Sequence, residues 1–180
     1  LGISPLQYNP ATKELIVYKK TTIEISYEGG STRFGEDAYR SRWWNPILED
    51  AIMNYDQLSE IDYNARLQKT LEEQSLSGVD EGCEYAIIIP TNPEFSNWAD
   101  SIKKFRTEQG IYTKVYKLSD IGGNTVAAIK TWVTDAYKNW KIKPAAMLIL
   151  GDYGTSAAST VISTKTPGFA SDNYYSDVTG

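Results

Sequence analysis

The pattern of hydrophobic and polar positions in the second half of the chain changes repeatedly between two periods. Residues 85–90 and 146–150 are short, nearly continuous apolar runs, and residues 112–117 form a more polar strand-like run between them. Continuous apolar runs are typical of strands that are buried on both faces of a parallel sheet. The segments between these runs place apolar residues every three or four positions, which is typical of amphipathic helices. Strands that alternate with helices indicate βαβ units, so we predict the α/β fold class, with the first half of a doubly wound parallel sheet.

Local signals mark the ends of the two helices. Asn92 and Pro93 are a favoured N-cap and first helical residue, and Gly110 is a favoured stop signal. Asn124 precedes the apolar positions of the second helix, and we therefore predict that it caps that helix.

The first thirty or so residues have the pattern of a small β structure. Residues 6–8 and 15–18 flank a Pro-containing turn, which predicts a hairpin, and residues 21–27 alternate between polar and apolar positions. This alternation predicts a third strand with one buried face. Because two or three strands do not make a stable domain by themselves, we assign residues 1–30 to the end of a larger β domain.

Residues 31–82 form a polar connector with helical content. Apolar positions at helical spacing predict one helix over 40–56 and a weaker one over 62–74, and residues 75–82 have the composition of a linker. We expect the basic side chains of Arg33, Arg40, Arg42 and Arg66 to be exposed and the connector to contain a site of proteolytic cleavage. The third part of the chain, 83–180, holds the βαβ pattern.

Charge and composition exclude several functions. A net charge of -5 without a basic stripe argues against a nucleic-acid partner. No apolar segment reaches about 18 residues, so the sequence predicts no membrane span. The chain has no His and one cysteine, Cys83, which lies next to acidic residues. Catalysis by a Ser or Cys with a His base is therefore impossible within these residues, and we expect Cys83 to be a small packing residue.

Carboxylates follow the strands at the carboxyl edge of the predicted sheet, where α/β folds place their ligands. Asp152 ends the last apolar run as part of Gly151-Asp152, and Asp172 follows in a later loop. Carboxylate and carbonyl oxygens are the ligands that Ca²⁺ prefers, so we expect Asp152 and Asp172 to be metal ligands. The alternative is that both are solvated turn residues. No glycine-rich phosphate loop occurs, which argues against a nucleotide cofactor.

Three stretches together resemble one known family. Residues 5–18, residues 85–110, and residues 148–152 followed by 171–175 resemble, in this order, the gingipain-like cysteine peptidases (the C25 group of the caspase-like clan). The resemblance implies a three-layer caspase-like fold, in which 1–30 ends a pro-domain, 31–82 is the connector and 83–180 begins the catalytic domain.

The same resemblance carries expectations about activity. It implies a zymogen of a cysteine endopeptidase that acts on protein or peptide substrates, with a catalytic Cys/His dyad beyond Gly180 and therefore no catalytic residue in this chain. It implies no cofactor for catalysis, a structural Ca²⁺, and a secreted, cell-surface or periplasmic location in bacteria. Because a sheet that stops after three βαβ strands would leave an unpaired edge, we expect the remaining part of the same polyprotein to be a partner, as a second chain.

Two other functions remain open from the residues alone. One is a non-catalytic gingipain-like protein with a scaffolding or secretion role. The other is a stand-alone α/β domain that binds a small ligand, which the absence of phosphate-binding loops disfavours.

Overall fold

The structure is a computed structural model that describes residues 4–24, 37–152, 158–161, 164–166 and 169–178. Its contacts divide the chain into two compact units, Leu1–Phe34 and Gly35–Gly180. The first unit contains a β hairpin, and the second contains the connector from residue 35 onwards and the parallel sheet.

The hairpin of the first unit is antiparallel, as predicted. Strand β1 (Leu6–Asn9) pairs with strand β2 (Glu14–Val17), and the Asn9 side chain accepts hydrogen bonds from the backbone of the turn between them. Of the predicted third strand, residues 21–24 have no regular structure and residues 25–27 lie outside the described residues. The side chains of both strands are exposed within this unit.

A parallel three-stranded sheet forms the centre of the second unit. Strand β3 (Tyr85–Ile89) lies between β4 (Thr113–Lys117) and β5 (Ala146–Ile149), and Ile87 is in register with Val115 and Leu148. Helix α3 (Pro93–Glu108) connects β3 to β4, and helix α4 (Val126–Asn139) connects β4 to β5. The prediction of an α/β fold with three parallel strands is therefore confirmed.

Helices cover both faces of the sheet because the side chains of β3 alternate between the faces. Ile88 packs in a cluster with Ile129 and Val133 of α4, whereas Ile87 and Ile89 pack with Ala99 of α3. The central strand is accordingly buried, while the side chains of β5 stay partly exposed. The result is a three-layer arrangement of helix, sheet and helix.

A second hairpin and a short helix follow β5. Strands β6 (Thr164–Thr166) and β7 (Phe169–Ser171) pair antiparallel, and helix α5 (Asn173–Ser176) follows directly. Tyr175 of α5 is buried in the same cluster as α4. The ammonium group of Lys130 on α4 donates hydrogen bonds to the carbonyl oxygens of Tyr174 and Asp177. Helix α5 is therefore fixed to α4 by one buried ring and one cation.

The predicted helix ends are partly confirmed. The Asn92 side chain accepts a hydrogen bond from the Glu94 N–H at the start of α3, and Gly110 has a φ of +77° just after its end. The prediction that Asn124 caps α4 is wrong, because the Thr125 hydroxyl accepts the capping hydrogen bond from the Ala128 N–H. The Asn124 amide instead donates to the carbonyl oxygen of Thr160.

The connector contains shorter helices than predicted. Instead of one helix over 40–56, there are a 3₁₀ turn (Asp37–Tyr39), helix α1 (Asn45–Ala51) and a second 3₁₀ turn (Tyr55–Gln57). Pro46 explains the late start of α1, because proline is tolerated only in the first turn of a helix. Helix α2 (Tyr63–Ser77) confirms the second predicted helix, with Asp62 as its cap and Gly78 in the left-handed conformation after it.

The expectation that the basic side chains of the connector are exposed is wrong for those that the structure describes. Arg40 is 8% exposed, and the guanidinium of Arg66 donates hydrogen bonds to the carbonyl oxygens of Asp37 and Arg40. Arg42 forms an ion pair with Glu84. Arg33 lies outside the described residues. The sequence could not show that Arg42 and Arg66 are paired, because Glu84 and the carbonyl groups that they contact are distant in sequence.

Residues just before β3 lie against the chain that leads into β5. The Ile142 N–H donates to the carbonyl oxygen of Glu81 over 2.8 Å, and Gly82 forms a parallel bridge with Ile142. Gly82 has a φ of +97°, and a Cβ atom at this position would lie 2.3 Å from the Ile142 carbonyl oxygen. Only glycine fits this close approach of two backbones.

A single carboxylate joins the connector to two strands of the sheet. Glu84 accepts a bidentate pair of hydrogen bonds from the Arg42 guanidinium at 2.8 and 2.7 Å, and a third from the Trp43 indole at 3.1 Å. The same carboxylate accepts the Tyr112 backbone N–H at 3.0 Å. We call these contacts the Glu84 junction. Its ion pair is largely shielded from water, with the Glu84 side chain 12% exposed.

The stability that the Glu84 junction contributes can be tested by substitution. Glu84→Gln keeps the shape of the side chain but removes the charge, so we expect the free energy of unfolding to fall by about 1–3 kcal/mol, the usual cost of a lost charge-assisted hydrogen bond. Limited proteolysis should also cut residues 37–66 faster. Chemical denaturation and mass spectrometry of the fragments measure the two effects.

Glu72→Gln is the matched control, because Glu72 is an exposed residue of α2. Equal stability and equal cutting rates in the two variants would show that the Glu84 junction does not hold the connector.

Candidate functional site at the carboxyl edge of the sheet

A short segment of the chain crosses the edge at which the parallel strands end. The Asn92 N–H, which follows β3, donates to the carbonyl oxygen of Ala158 over 2.8 Å. The Asp152 N–H, which follows β5, donates to the carbonyl oxygen of Ser159 over 2.8 Å. The Asn124 amide, which follows β4, donates to the Thr160 carbonyl oxygen over 2.7 Å. We call residues 158–161 the edge segment, because it is hydrogen-bonded to the loop after each of the three strands.

The edge segment is packed as well as hydrogen-bonded. Val161 is 6% exposed and belongs to the main hydrophobic cluster. A Cβ atom at Gly151 would lie 2.9 Å from the Val161 nitrogen, so the side-chain-free backbone of Gly151 allows the close approach. The Gly151-Asp152 pair that the sequence singled out therefore serves to admit the edge segment. Main chain of the edge segment therefore lies at this edge of the sheet.

The two predicted metal ligands lie in different surroundings. Asp152 is exposed and forms a bridge with Thr160 in the edge segment. Asp172 precedes α5 but its side chain makes no capping hydrogen bond to that helix. Asp172 also borders a cavity of about 620 Å³ along β5, which Pro144, Met147 and Ile149 help to line and which Asp152 does not border.

The charge of Asp172 influences its neighbour in α5. Burial of Tyr175, and secondarily the negative charge of Asp172, raise the pKa of the Tyr175 hydroxyl to about 12. Tyr175 therefore stays neutral at physiological pH, and its ring serves as a packing group between α4, α5 and β5.

The described residues do not supply a complete calcium site. Ca²⁺ takes about six to eight oxygen ligands, and the described part of the chain contains no group of three or more acidic, Cys or His side chains that could hold a metal ion. Asp152 and Asp172 could contribute one carboxylate each, so most of the ligands would have to be carbonyl oxygens, waters or residues outside the described ranges.

Cys83 is fully buried and hydrogen-bonded, in agreement with the expected packing role. Its thiol lies 3.3 Å from the Tyr85 carbonyl oxygen and 3.9 Å from the Tyr116 hydroxyl. Burial raises the pKa of the thiol from its ordinary value of 9.0 to about 11, although the hydrogen bond to Tyr116 opposes the rise. The thiol is therefore protonated at neutral pH and cannot act as a nucleophile.

Charged residues surround Cys83 in a cluster that sequence reasoning missed. Lys114 donates to the Asp80 carboxylate over 2.5 Å, and the Tyr116 hydroxyl lies 3.2 Å from the same carboxylate. Burial is the largest single influence on the Asp80 carboxyl and opposes its ionisation. The hydrogen bond and charge of Lys114, together with hydrogen bonds from the Gly82 N–H and the Tyr116 hydroxyl, outweigh burial and lower the Asp80 pKa. Burial first, and then the charges of Cys83 and Asp80, raise the pKa of Tyr116. The cluster fixes residues 80–83 to β4 and holds no activated base.

The edge segment likewise has no signature in the sequence. Residues 153–163 are rich in Ser, Thr and Ala and have no strand or helix period. Their contact with Asn92 and Asn124 spans 66 and 36 residues of sequence separation, respectively, and such contacts leave no local signal. The one usable clue was Gly151, whose lack of a side chain at the end of a strand indicates a close approach of another backbone.

The fold and the order of the segments define the class of protein. A helical connector precedes a parallel sheet covered by helices on both faces, which is consistent with a caspase-like α/β fold. A comparison with protein-family models matches residues 79–180 to Peptidase family C25 and residues 1–61 to Propeptide_C25. The chain therefore belongs to peptidase family C25 and carries a propeptide segment of the same family. The matched ranges leave residues 62–78 between them, nearly the span of α2.

Curated relatives agree with the family. The chain is 26% identical over 193 residues to Gingipain R2 of Porphyromonas gingivalis strain W83 and 23% identical over 181 residues to Gingipain R1 of Porphyromonas gingivalis. Both comparisons cover 100% of this chain but only 22% and 16% of the two relatives. No solved structure gives a significant match. The chain thus spans less than a quarter of the length of these relatives.

Several expectations from the sequence stay predictions. Among them are the position of the domain boundaries at residues 30 and 82, the assignment of Asp152 and Asp172 as metal ligands, and the bound Ca²⁺ itself. Among the described helices, none is long and apolar enough to cross a membrane.

The buried thiol makes a testable prediction. At pH 8 a pKa of about 11 leaves about one thiolate in a thousand, so native Cys83 should react with iodoacetamide about a hundredfold more slowly than a free cysteine. The rate should rise as the pH approaches 11. Because the folded pKa is raised, the contribution of the thiol to stability is complete below about pH 9 and is lost as the pH rises towards 11.

Mass spectrometry of the alkylated peptide measures the rate, and the same protein unfolded in urea is the control. Rapid labelling of native Cys83 at pH 7 would contradict the burial and the pKa that the structure gives.

Proposed function

We propose that this chain is part of the precursor of a secreted cysteine endopeptidase, in which residues 1–61 belong to the propeptide and residues 83–180 to the first part of the catalytic domain. The observation that carries the proposal is the succession of a propeptide match and a peptidase match from one family in a single chain. Its partners are the remaining part of the same polyprotein and a protein or peptide substrate. A bacterial cell surface or periplasm is the alternative location.

The catalytic groups are proposed to lie beyond Gly180. This chain has no His, and its only thiol is buried and protonated, so it cannot supply the reacting pair. A catalytic Cys elsewhere in the precursor would attack the peptide carbonyl carbon after a His has taken its proton. Backbone N–H groups would stabilise the oxyanion, and the same His would return the proton to the leaving amine. No cofactor is needed for this reaction.

The described residues would act as the frame for that site. The edge segment joins the loops after β3, β4 and β5 through hydrogen bonds to Asn92, Asn124 and Asp152. Loops that are fixed in this way hold neighbouring elements in a constant position, which catalysis requires of its supporting residues. This role needs rigidity and no reactive side chain.

The proposed site of activation cleavage lies near the end of α2. Leu76 is 90% exposed, Val79 is 56% exposed, and Gly78 between them has the left-handed conformation. An exposed loop with small residues is a preferred site of proteolysis. A cut at 76–79 would leave the new amino terminus next to Glu81 and Gly82, whose contacts with Ile142 fix them to the peptidase part of the chain.

The proposal is tested on the full-length precursor. Cys83→Ala should retain peptidase activity within about twofold of the unchanged protein, because Cys83 only packs. An irreversible thiol-directed peptidase inhibitor should label a different cysteine, and sequencing of the mature enzyme should find its new amino terminus between residues 77 and 80. Peptide mapping by mass spectrometry identifies the labelled residue.

Loss of activity in Cys83→Ala with an unchanged melting temperature would overturn the assignment. A full-length precursor that hydrolyses no peptide and binds no thiol-directed inhibitor would instead favour a non-catalytic member of the family.

We also propose a structural Ca²⁺ with Asp152 and Asp172 among its ligands. The proposal is supported by the exposed carboxylates of both residues and by the Asp172 side chain, which makes no capping hydrogen bond to α5. Because the described residues contain no group of three or more Asp, Glu, Cys or His side chains that could hold a metal ion, the remaining oxygens would come from carbonyl groups, waters or other parts of the precursor.

Calcium binding predicts a change in thermal stability. Millimolar Ca²⁺ should raise the melting temperature of the full-length precursor relative to the same protein in EDTA, because a ligand that binds only the folded state stabilises it. Asp172→Ala should remove the increase, and Asp100→Ala, on the exposed side of α3, is the matched control. An equal increase in both variants, or none in the unchanged protein, would leave Asp172 an ordinary turn residue.

A further inference from the structure

A small cavity lies between the connector and the chain that leads into β5, and basic side chains line it. Its volume is about 110 Å³. The connector contributes Arg40 and Arg66, the residues before β5 contribute Lys141 and Lys143, and Glu84 is the one acidic side chain among the described lining residues. Glu84 is already occupied by the bidentate hydrogen bonds from Arg42. The Lys141 ammonium is paired with Glu73 and Glu81, so the cations that matter for this cavity are Arg40 and Arg66.

Arg40 is a buried cation with incomplete hydrogen bonding. Its side chain is 7% exposed, and Nη1 donates to the Ser59 carbonyl oxygen over 2.5 Å and to the Ser59 hydroxyl over 3.1 Å. The Asp37 carboxylate lies 3.6 Å from Nη1 and is itself 62% exposed. Within the described residues, Nε of Arg40 is buried and has no hydrogen-bond partner. A buried donor of a charged group without an acceptor is costly, so this atom indicates an acceptor that the protein itself does not supply.

Arg66 provides a second, independent cation. Its guanidinium donates to the carbonyl oxygens of Asp37 at 2.9 Å and Arg40 at 2.8 Å, and it lies 5.0 Å from the centre of the Tyr63 ring. Among the described residues, no carboxylate lies within ion-pair distance of Arg66. Carbonyl dipoles and the ring orient this cation, but they do not neutralise its charge.

We propose that this cavity binds a small oxyanion of the size of phosphate or sulfate. A water molecule occupies about 30 Å³, so a cavity of about 110 Å³ has room for one such ion. Arg40 Nε would donate to one of its oxygens, and the charges of Arg40 and Arg66 would neutralise it. Arginine suits this role because its planar group donates several hydrogen bonds to an oxyanion in fixed directions.

The bound anion would connect two parts of the chain. Arg40 lies in the range that matches the propeptide family, and Lys141 and Lys143 lie in the range that matches the peptidase family. The anion would therefore strengthen the contact between the connector and the peptidase part. This inference does not depend on catalysis, and its test uses binding and melting only, so its failure is distinguishable from failure of the proposed function.

The experiment compares anions at constant ionic strength. Sodium phosphate and sodium sulfate should raise the melting temperature of the chain above the value in sodium chloride, and calorimetric titration with phosphate should show a saturable site. Arg66→Gln removes one cation, and Arg40→Lys keeps the charge but removes Nε. Each should weaken phosphate binding by about tenfold or more, as expected for one lost charge-assisted hydrogen bond.

Lys104→Gln is the matched control for loss of one positive charge, because Lys104 lies on α3 with its side chain 79% exposed. It should bind phosphate like the unchanged chain. Acetate is included to distinguish a carboxylate, which could come from a protein side chain, from a tetrahedral ion, and tighter binding of acetate would identify the carboxylate as the occupant.

Three results would overturn the proposal. The first is the absence of saturable phosphate, sulfate or acetate binding to the unchanged chain. The second is a melting temperature in phosphate or sulfate that is no higher than the melting temperature in chloride at the same ionic strength. The third is unchanged affinity in Arg66→Gln and Arg40→Lys. If one of the two variants fails to fold, the phosphate titration of the other variant against the Lys104→Gln control decides.

Discussion

The Glu84 carboxylate is the contact on which the rest of the larger unit depends. Its side chain accepts hydrogen bonds from Arg42, Trp43 and the Tyr112 backbone, so one charge joins the connector to the start of β4. Its own backbone donates to the Tyr112 carbonyl and accepts from the Ala145 N–H. The residue therefore sets the relative position of β3, β4, β5 and the connector. When a shielded acceptor of several charged or oriented donors is removed, each donor is left without a partner. Each unpaired donor then lowers the stability of the fold.

At the opposite end of the sheet, main chain performs a similar joining function. The edge segment connects the loops after all three strands through two backbone donors and the Asn124 amide. Open α/β sheets commonly place reactive groups at this edge, yet here Gly151 admits another stretch of backbone instead. The part of the chain that matches the peptidase family is therefore held together by structural contacts at both ends of its strands. A purely structural role for these residues agrees with a chain that has no His and whose one cysteine is buried.

Local sequence signals predicted those features whose cause is local. The apolar run of β3, the Asn92-Pro93 start of α3 and the Gly110 stop are determined by neighbouring residues, and the structure has them where expected. The helix that apolar spacing predicts over 40–56 is too long, because Pro46 can lie only in the first turn of a helix and α1 therefore begins at Asn45. Asn124 and Thr125 are adjacent and both suit a helix cap, so only the distant contact with Thr160 decided between them.

The candidate site was less predictable because its geometry depends on contacts that are distant in sequence. Burial of Arg40 depends on Ser59 and on the packing of the connector, which no periodicity reveals. The carboxylates of Asp152 and Asp172 were correctly placed after β5, but their spacing in sequence carried no information on whether they share one cavity. Charge alone was equally uninformative, because a net charge of -5 conceals a local excess of basic groups.

Polar contacts join helix α2 to the segments that lead into the sheet, and this has a kinetic consequence. Lys141 bridges Glu73 of α2 and Glu81, and Lys114 lies 3.4 Å from the Gln74 side chain. Partly exposed ion pairs of this kind are individually weak and are screened by salt. Scission of the backbone after α2 and departure of the severed helix would therefore be separate events. The protease would set the rate of scission. The time for which the severed helix stays bound would shorten as the ionic strength rises.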